Sequence, residues 1–121
     1  MHVAGERLIC AADALAEGGD GVRFKVVHGG EEVPAFAIRY QGRVHAYLNR
    51  CAHRRVELDW DPGRFFDRER RFLICATHGA LYEPSSGRCV AGPCAGGGLV
   101  KLEVFEKNNA VFLASEDATE R

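Results

Sequence analysis

Four side chains stand out by type and spacing: Cys51 and His53 in "CAH", and Cys75 and His78 in "CATH". Each pair sets a thiol beside an imidazole, first as Cys-x-His and then as Cys-x-x-His, with residues 54–74 between the pairs. Thiolate and imidazole in a two-by-two set suit a structural zinc or an iron–sulfur cluster with mixed ligation. Zinc modules commonly begin with two cysteines and finish with two histidines, whereas here each half supplies one of each. That division suits two loops gripping a two-iron, two-sulfur unit from opposite sides, each giving one sulfur to an inner iron and one imidazole to an outer iron. A single tetrahedral zinc held by the same four residues is also compatible with the spacing.

Loops used in this way must be carried by strands, and alternation of apolar and polar residues dominates the chain. "VRFKV" puts Val22, Phe24 and Val26 on one face and Arg23 and Lys25 on the other. "FAIRY" and "RVHAYL" flank Gln41-Gly42 as a hairpin, and "LVKLEVFE" and "AVFLA" flank the paired asparagines of "KNNA" as another. "RFLIC" delivers Cys75 at the end of a further apolar run. Only "AADALAE" reads as helical, a turn or two closed by Gly18-Gly19. "AGPCAGGG" reads as a long shaped loop. The expected architecture is all-β, mostly antiparallel, in a single domain over 1–121.

Composition narrows the function classes. A net charge of −1 gives no argument for nucleic acid or an anionic membrane as partner. No run approaches the roughly 20 apolar residues of a membrane span, and "MHVAGERLIC" lacks the features of a secretory signal, so a soluble, cytoplasmic protein is expected. Five cysteines argue against a fully paired disulfide framework. No phosphate loop, dinucleotide fingerprint or Ser-His-Asp arrangement emerges, and no further histidine pair with a carboxylate offers a mononuclear iron site.

"CAH…CATHGALYEPSSG…GP" resembles the Rieske iron–sulfur signature, Cys-x-His followed by Cys-x-x-His-Gly, and the resemblance runs over nearly the whole chain. It implies a Rieske-like antiparallel β-sandwich or base bearing a small cluster-binding subdomain, roughly 49–95, and a [2Fe–2S] cluster as cofactor. By the same resemblance, Cys51 and Cys75 would ligate the buried iron, and His53 and His78 the outer iron. Gly79 would let backbone amides approach the cluster sulfurs, and Gly92 and Pro93 would belong to a third loop covering the cluster. The implied function is that of a one-electron carrier rather than an enzyme, taking electrons from a reductase and passing them to a terminal oxygenase or similar redox enzyme. The alternatives are a small subunit of a multi-component oxidoreductase, such as a nitrite-reductase-like complex, and, in another class, a structural zinc-binding or interaction module.

Departures from the family pattern carry further expectations. Arg55 and Thr77 stand where respiratory-type members have an extra cysteine pair, so that disulfide cannot form. Ala80 stands where those members tend to have a serine that hydrogen-bonds a cluster sulfur, although Tyr82 retains a phenol. Fewer such bonds place the potential toward the lower part of the Rieske range of roughly −150 to +300 mV. Cys10 reads as a buried thiol, and Cys89 and Cys94 as reduced thiols rather than a disulfide. His2, His28 and His45 read as bystanders, with His45 on the polar side of its strand. Arg50, Arg54 and Arg55 flank the first ligand loop, where they would steer an acidic partner. "RERR" at 68–71 reads as a solvated loop, and Trp60, Phe65 and Phe66 as local core beneath the long loop.

Overall fold

Strands account for every sheet-forming expectation and add three, at Arg7–Ala11, Leu81–Tyr82 and Cys89–Ala91. In chain order they are β1 (Arg7–Ala11), β2 (Val22–His28), β3 (Glu31–Tyr40), β4 (Arg43–Leu48), β5 (Leu73–Ile74), β6 (Leu81–Tyr82), β7 (Cys89–Ala91), β8 (Lys101–Leu102), β9 (Val104–Lys107) and β10 (Ala110–Leu113). The computed structural model describes residues 7–51, 56–77, 79–93 and 97–114. Three antiparallel sheets result, in the orders β1-β10-β9, β2-β3-β4-β8 and β5-β6-β7.

The hairpins follow from their turn residues. His28 pairs with Glu31, Tyr40 with Arg43 and Lys107 with Ala110, leaving two-residue loops of Gly29-Gly30, Gln41-Gly42 and Asn108-Asn109. All six loop residues have positive φ, the condition for a type I′ turn, whose twist matches that of the flanking strands. The Gln41-Gly42 turn is pinned further, because both backbone N–H groups donate to the Glu17 carboxylate.

β3 and β4 are buried on both faces, which explains why β3 is apolar in both strand parities. Val33, Ala35 and Ala37 join Val26, Ala46, Leu48, Leu102, Val111 and Leu113 in a core between the central sheet and β1-β10-β9. Phe36 and Ile38, from the other face of β3, join Tyr47 in a second core against β5-β6-β7 and the long loop. The β2 alternation appears as expected, with Val26 buried and Arg23 and Lys25 exposed.

The helix expected over 11–17 is reduced to one 3-10 turn, Ala12–Ala14, without a side-chain cap. So short a segment cannot repay helix nucleation. Instead, the preceding residues form β1, and Arg39 donates to the Ala12 and Leu15 carbonyls. Cys10 lies within β1 and is half-buried rather than fully buried, with burial pushing its thiol pKa up.

Candidate metal centre

The two cysteines of the expected ligand set sit together in the second core. Cys51 and Cys75 are 4% and 0% exposed, in one cluster with Phe36, Tyr47, Leu58, Phe65, Ala80 and Tyr82. Neither is in a disulfide. Burial of unbridged thiols among aromatic side chains keeps water from whatever they bind. The Tyr82 hydroxyl lies 3.3 Å from Cys51 Sγ, within sulfur hydrogen-bond range. Toward a thiolate, the phenol is the donor. His53 and His78 lie outside the described residues, as do Arg54, Arg55 and Cys94. Among the described residues alone, no three His, Cys, Asp or Glu side chains gather round a metal position.

Backbone hydrogen bonds build the cysteine loops. The Cys75 N–H donates to the Ala80 carbonyl and the Gly79 N–H to the Cys75 carbonyl, closing a tight turn after Cys75. Gly79 has a φ of +75°, and a Cβ there would meet nothing within 4 Å among the described residues. Backbone conformation by itself therefore calls for glycine at this position. Gly92 has both reasons: its φ is +95°, and a Cβ would lie 2.8 Å from the Ala80 Cα. The Gly92-Pro93 loop thus stands directly against the Cys75 loop.

A third segment ties the two cysteine loops together. The Cys51 N–H donates to the Val56 carbonyl at 2.8 Å, and the Ala76 N–H to the Leu58 carbonyl at 2.9 Å. The segment is anchored by fully buried Asn49, which reads as nothing special in sequence. Its amide oxygen accepts from the Leu58 N–H at 2.8 Å and its amide nitrogen donates to Asp59 Oδ1 at 3.0 Å. Asp59 Oδ2 accepts from the Gly63 N–H at 2.9 Å and pairs with Arg23 Nε at 3.2 Å. Each buried polar group is thereby satisfied, as a water-poor interior requires. On the opposite side, the Tyr47 hydroxyl donates to the Pro84 carbonyl at 2.6 Å, and burial pushes its pKa up. Burial also acts to raise the Glu83 pKa, but hydrogen bonds from Ser85 and Ser86 outweigh it and hold the carboxyl below the usual range.

Several expectations change here. Phe65 is core as expected, stacked on Phe36 with ring centroids 3.9 Å apart, and Phe66 packs on Tyr40. Trp60, however, is 82% exposed, because the loop's buried positions are taken by Leu58, Asp59 and Phe65. His45 is buried rather than on a polar face, since both faces of β4 are covered. Burial, with Lys101 second, pushes its pKa down. Cys89 is disulfide-bonded, which corrects its reading as a reduced thiol. Arg68, Glu69, Arg70 and Arg71 are all exposed, as a solvated loop should be.

The donor chemistry fits an iron–sulfur cluster: two buried, unbridged cysteines on separate loops, with a hydroxyl directed at one sulfur. Comparisons with known proteins agree. The model of the Rieske [2Fe-2S] domain matches residues 6–114. No curated protein matches the chain in sequence. Among solved structures, it is similar to the ferredoxin of carbazole 1,9a-dioxygenase from Nocardioides aromaticivorans IC177, with TM-score 0.73 and 21% identity, covering 93% of this chain and 99% of that one. It is similar to a chain in a complex of reduced oxygenase and oxidized ferredoxin of carbazole 1,9a-dioxygenase, with TM-score 0.72 and 20% identity over 96% of this chain and 97% of that one. The terminal oxygenase of the Nocardioides enzyme is matched at TM-score 0.70 and 25% identity, over 92% of this chain but 30% of that one. No helix among the described residues is long and apolar enough to cross a membrane.

Proposed function

The chain belongs to the Rieske [2Fe-2S] domain family, and from that premise we propose that it is a one-electron carrier, accepting electrons from a reductase and delivering them to a terminal oxygenase. The observation that carries this reading is the pair of buried cysteines on loops laced together by Val56 and Leu58, with the Tyr82 hydroxyl on one sulfur. Structural neighbours that include a ferredoxin in complex with its oxygenase support the choice of partner. The proposal treats 1–121 as one domain, with 49–95 as its cluster-binding part, and sets it in the cytoplasm with its reductase.

In this proposal Cys51 and Cys75 ligate the inner iron through thiolates, and His53 and His78 ligate the outer iron through imidazole nitrogens. When bound, such a cluster supplies a one-electron couple within the Rieske range. The apolar wall of Phe36, Leu58, Phe65 and Tyr82 excludes water from the sulfur side. The Tyr82 hydroxyl donates to Cys51 Sγ and so favours the more negative, reduced state. Ala80, buried and without a side-chain donor, adds nothing comparable, which keeps the potential in the lower part of that range.

Iron and acid-labile sulfide analysis, with EPR of the dithionite-reduced protein, tests the reading. Two irons and two sulfides per chain with a reduced-state signal are expected, and Cys51→Ser, His53→Ala, Cys75→Ser and His78→Ala should each abolish the native signal. A colourless protein holding one zinc would overturn it.

A further inference from the structure

Trp60 is the chain's single tryptophan, and at 82% it is more exposed than any other large apolar side chain among the described residues; Leu8, at 59%, is next. Exposed apolar residues scattered singly need no explanation in themselves. What sets Trp60 apart is the backbone that presents it. On its N-terminal side Leu58 and Asp59 are held by Asn49. On its C-terminal side Asp61-Pro62-Gly63-Arg64 forms a turn, closed by the Arg64 N–H donating to the Asp61 carbonyl at 2.9 Å. Proline at the second position and glycine with φ +91° at the third give that turn type II character. The turn is clamped to the body by Gly63, which donates to Asp59 and accepts from the Gly21 N–H. A rigid stretch therefore holds out an indole for which no hydrogen bond or ring contact exists among the described residues.

Its position relates it to the metal centre. Trp60 follows by two residues the segment whose Val56 and Leu58 carbonyls accept from Cys51 and Ala76, so the backbone that presents it is continuous with the tie between the two cysteine loops. The exposed residues on the second and third loops, Ala76, Thr77, Gly79, Gly92 and Pro93, are small and uncharged. Arg50, next to Cys51, and exposed Arg64, closing the Pro-Gly turn, carry guanidinium groups with no ion pair among the described residues.

We propose that Trp60 is the apolar anchor of the surface on which the electron-accepting protein docks, seated in an apolar pocket of that partner whose rim offers carboxylates to Arg50 and Arg64. This rests on the carrier reading above. Electron-transfer encounters bury less than about 1,200 Å² in total, so roughly 600 Å² on each side. One tryptophan contributes about 150–250 Å², a quarter or more of this chain's share. Tryptophan and arginine are, with tyrosine, the side chains enriched among those that dominate interface energy. A second copy of this chain is the poorer occupant, since a two-fold contact through this patch would bring like-charged arginines together.

The test uses the cluster-loaded protein and, as acceptor, the terminal oxygenase of carbazole 1,9a-dioxygenase, with ferricyanide as a small acceptor. Trp60→Ala should lower the second-order rate of electron transfer to the oxygenase roughly 30-fold, the size of a single dominant contact. Trp60→Phe should fall between, while Leu8→Ala, on the remote β1-β10-β9 sheet, transfers as the unmodified chain does. All should reduce ferricyanide alike and keep the same EPR spectrum. With 5-fluorotryptophan at the one tryptophan, the single 19F resonance should shift as the oxygenase is added. Equal oxygenase rates for the unmodified chain and Trp60→Ala, or an unmoved resonance in the saturated complex, overturn the inference and leave the carrier reading standing. Sedimentation showing concentration-dependent association that Trp60→Ala abolishes assigns the patch to a second copy and also overturns it. An EPR-silent protein removes the carrier reading itself.

Discussion

The two faces of β3 and β4 carry cores of different construction. On the face toward β1-β10-β9, strands of four to ten residues, with the two-residue β8 at the edge of the central sheet, exchange ladder bonds interrupted by one irregularity in β1, and the core is aliphatic apart from a few flanking side chains. On the other face β5 and β6 have two residues each and β7 three, and the core is aromatic, with the two cysteines inside it. Regularity there is replaced by single contacts: Asn49 to Leu58 and Asp59, Tyr47 to Pro84, Gly92 against Ala80. The base spreads its stability over many interchangeable aliphatic contacts, whereas the metal-centre end concentrates it in a few polar and close-packed ones. Substitutions should therefore act sharply and locally at the second and diffusely at the first.

The largest expected effect separates the two regions directly. Asn49→Ala leaves the Leu58 N–H and Asp59 Oδ1 without partners in a dry interior, at a cost of about 3 kcal/mol. Hydrogen exchange should show protection lost across 56–63 and 75–80 while the β9–β10 hairpin keeps its own; uniform loss in both regions would break the comparison. Gly92→Ala comes next, at about 2 kcal/mol, because a Cβ meets the Ala80 Cα in a backbone conformation that disfavours it. Denaturant unfolding should report that loss, with a lower yield of bound cluster.

Tyr82→Phe is milder in stability and specific in redox behaviour. Removing the donor to Cys51 Sγ should lower the reduction potential by about 40 mV, equivalent to about 1 kcal/mol for one electron. Voltammetry checks this, and an unchanged potential would show that the hydroxyl does not discriminate between redox states.

The smallest effect concerns pH. Burial, then Lys101, pushes the His45 pKa down, with Arg43 acting the same way and Glu83 and a backbone bond to Tyr40 opposing. As pH falls below the ordinary histidine value of about 6.5, the unfolded chain takes up this proton before the folded one, so stability declines. His45→Gln should flatten the dependence of the urea midpoint between that value and the carboxylate range. A second decline, as pH falls below the ordinary carboxylate range, should persist in the variant. It comes from Glu17, held down by the Gly42 and Gln41 N–H groups, and Glu106, held down by Arg39.

Much of the base was legible in the residues. Gln41-Gly42 and Asn108-Asn109 announced their hairpins because few residues tolerate positive φ, and β2 announced its faces by alternation. At the other end the legible part was chemical. Paired Cys and His at short spacing mark candidate donors whatever surrounds them, whereas Asn49 carries no local signal, because its role arises only when Leu58 and Asp59 are brought to it.

Residue type and local spacing were enough to determine the turns and the all-β character and to nominate a donor set, since thiolates, imidazoles and φ > 0 residues act over a few neighbours. Tertiary structure alone decided that His45 is buried and Trp60 is not, that Cys89 is bridged, and that Val56 and Leu58 link the two cysteine loops. Burial is a property of what packs against a residue from distant parts of the chain, and no local pattern specifies which of two apolar faces on a double-sided strand, or which aromatic of a loop, will find a neighbour.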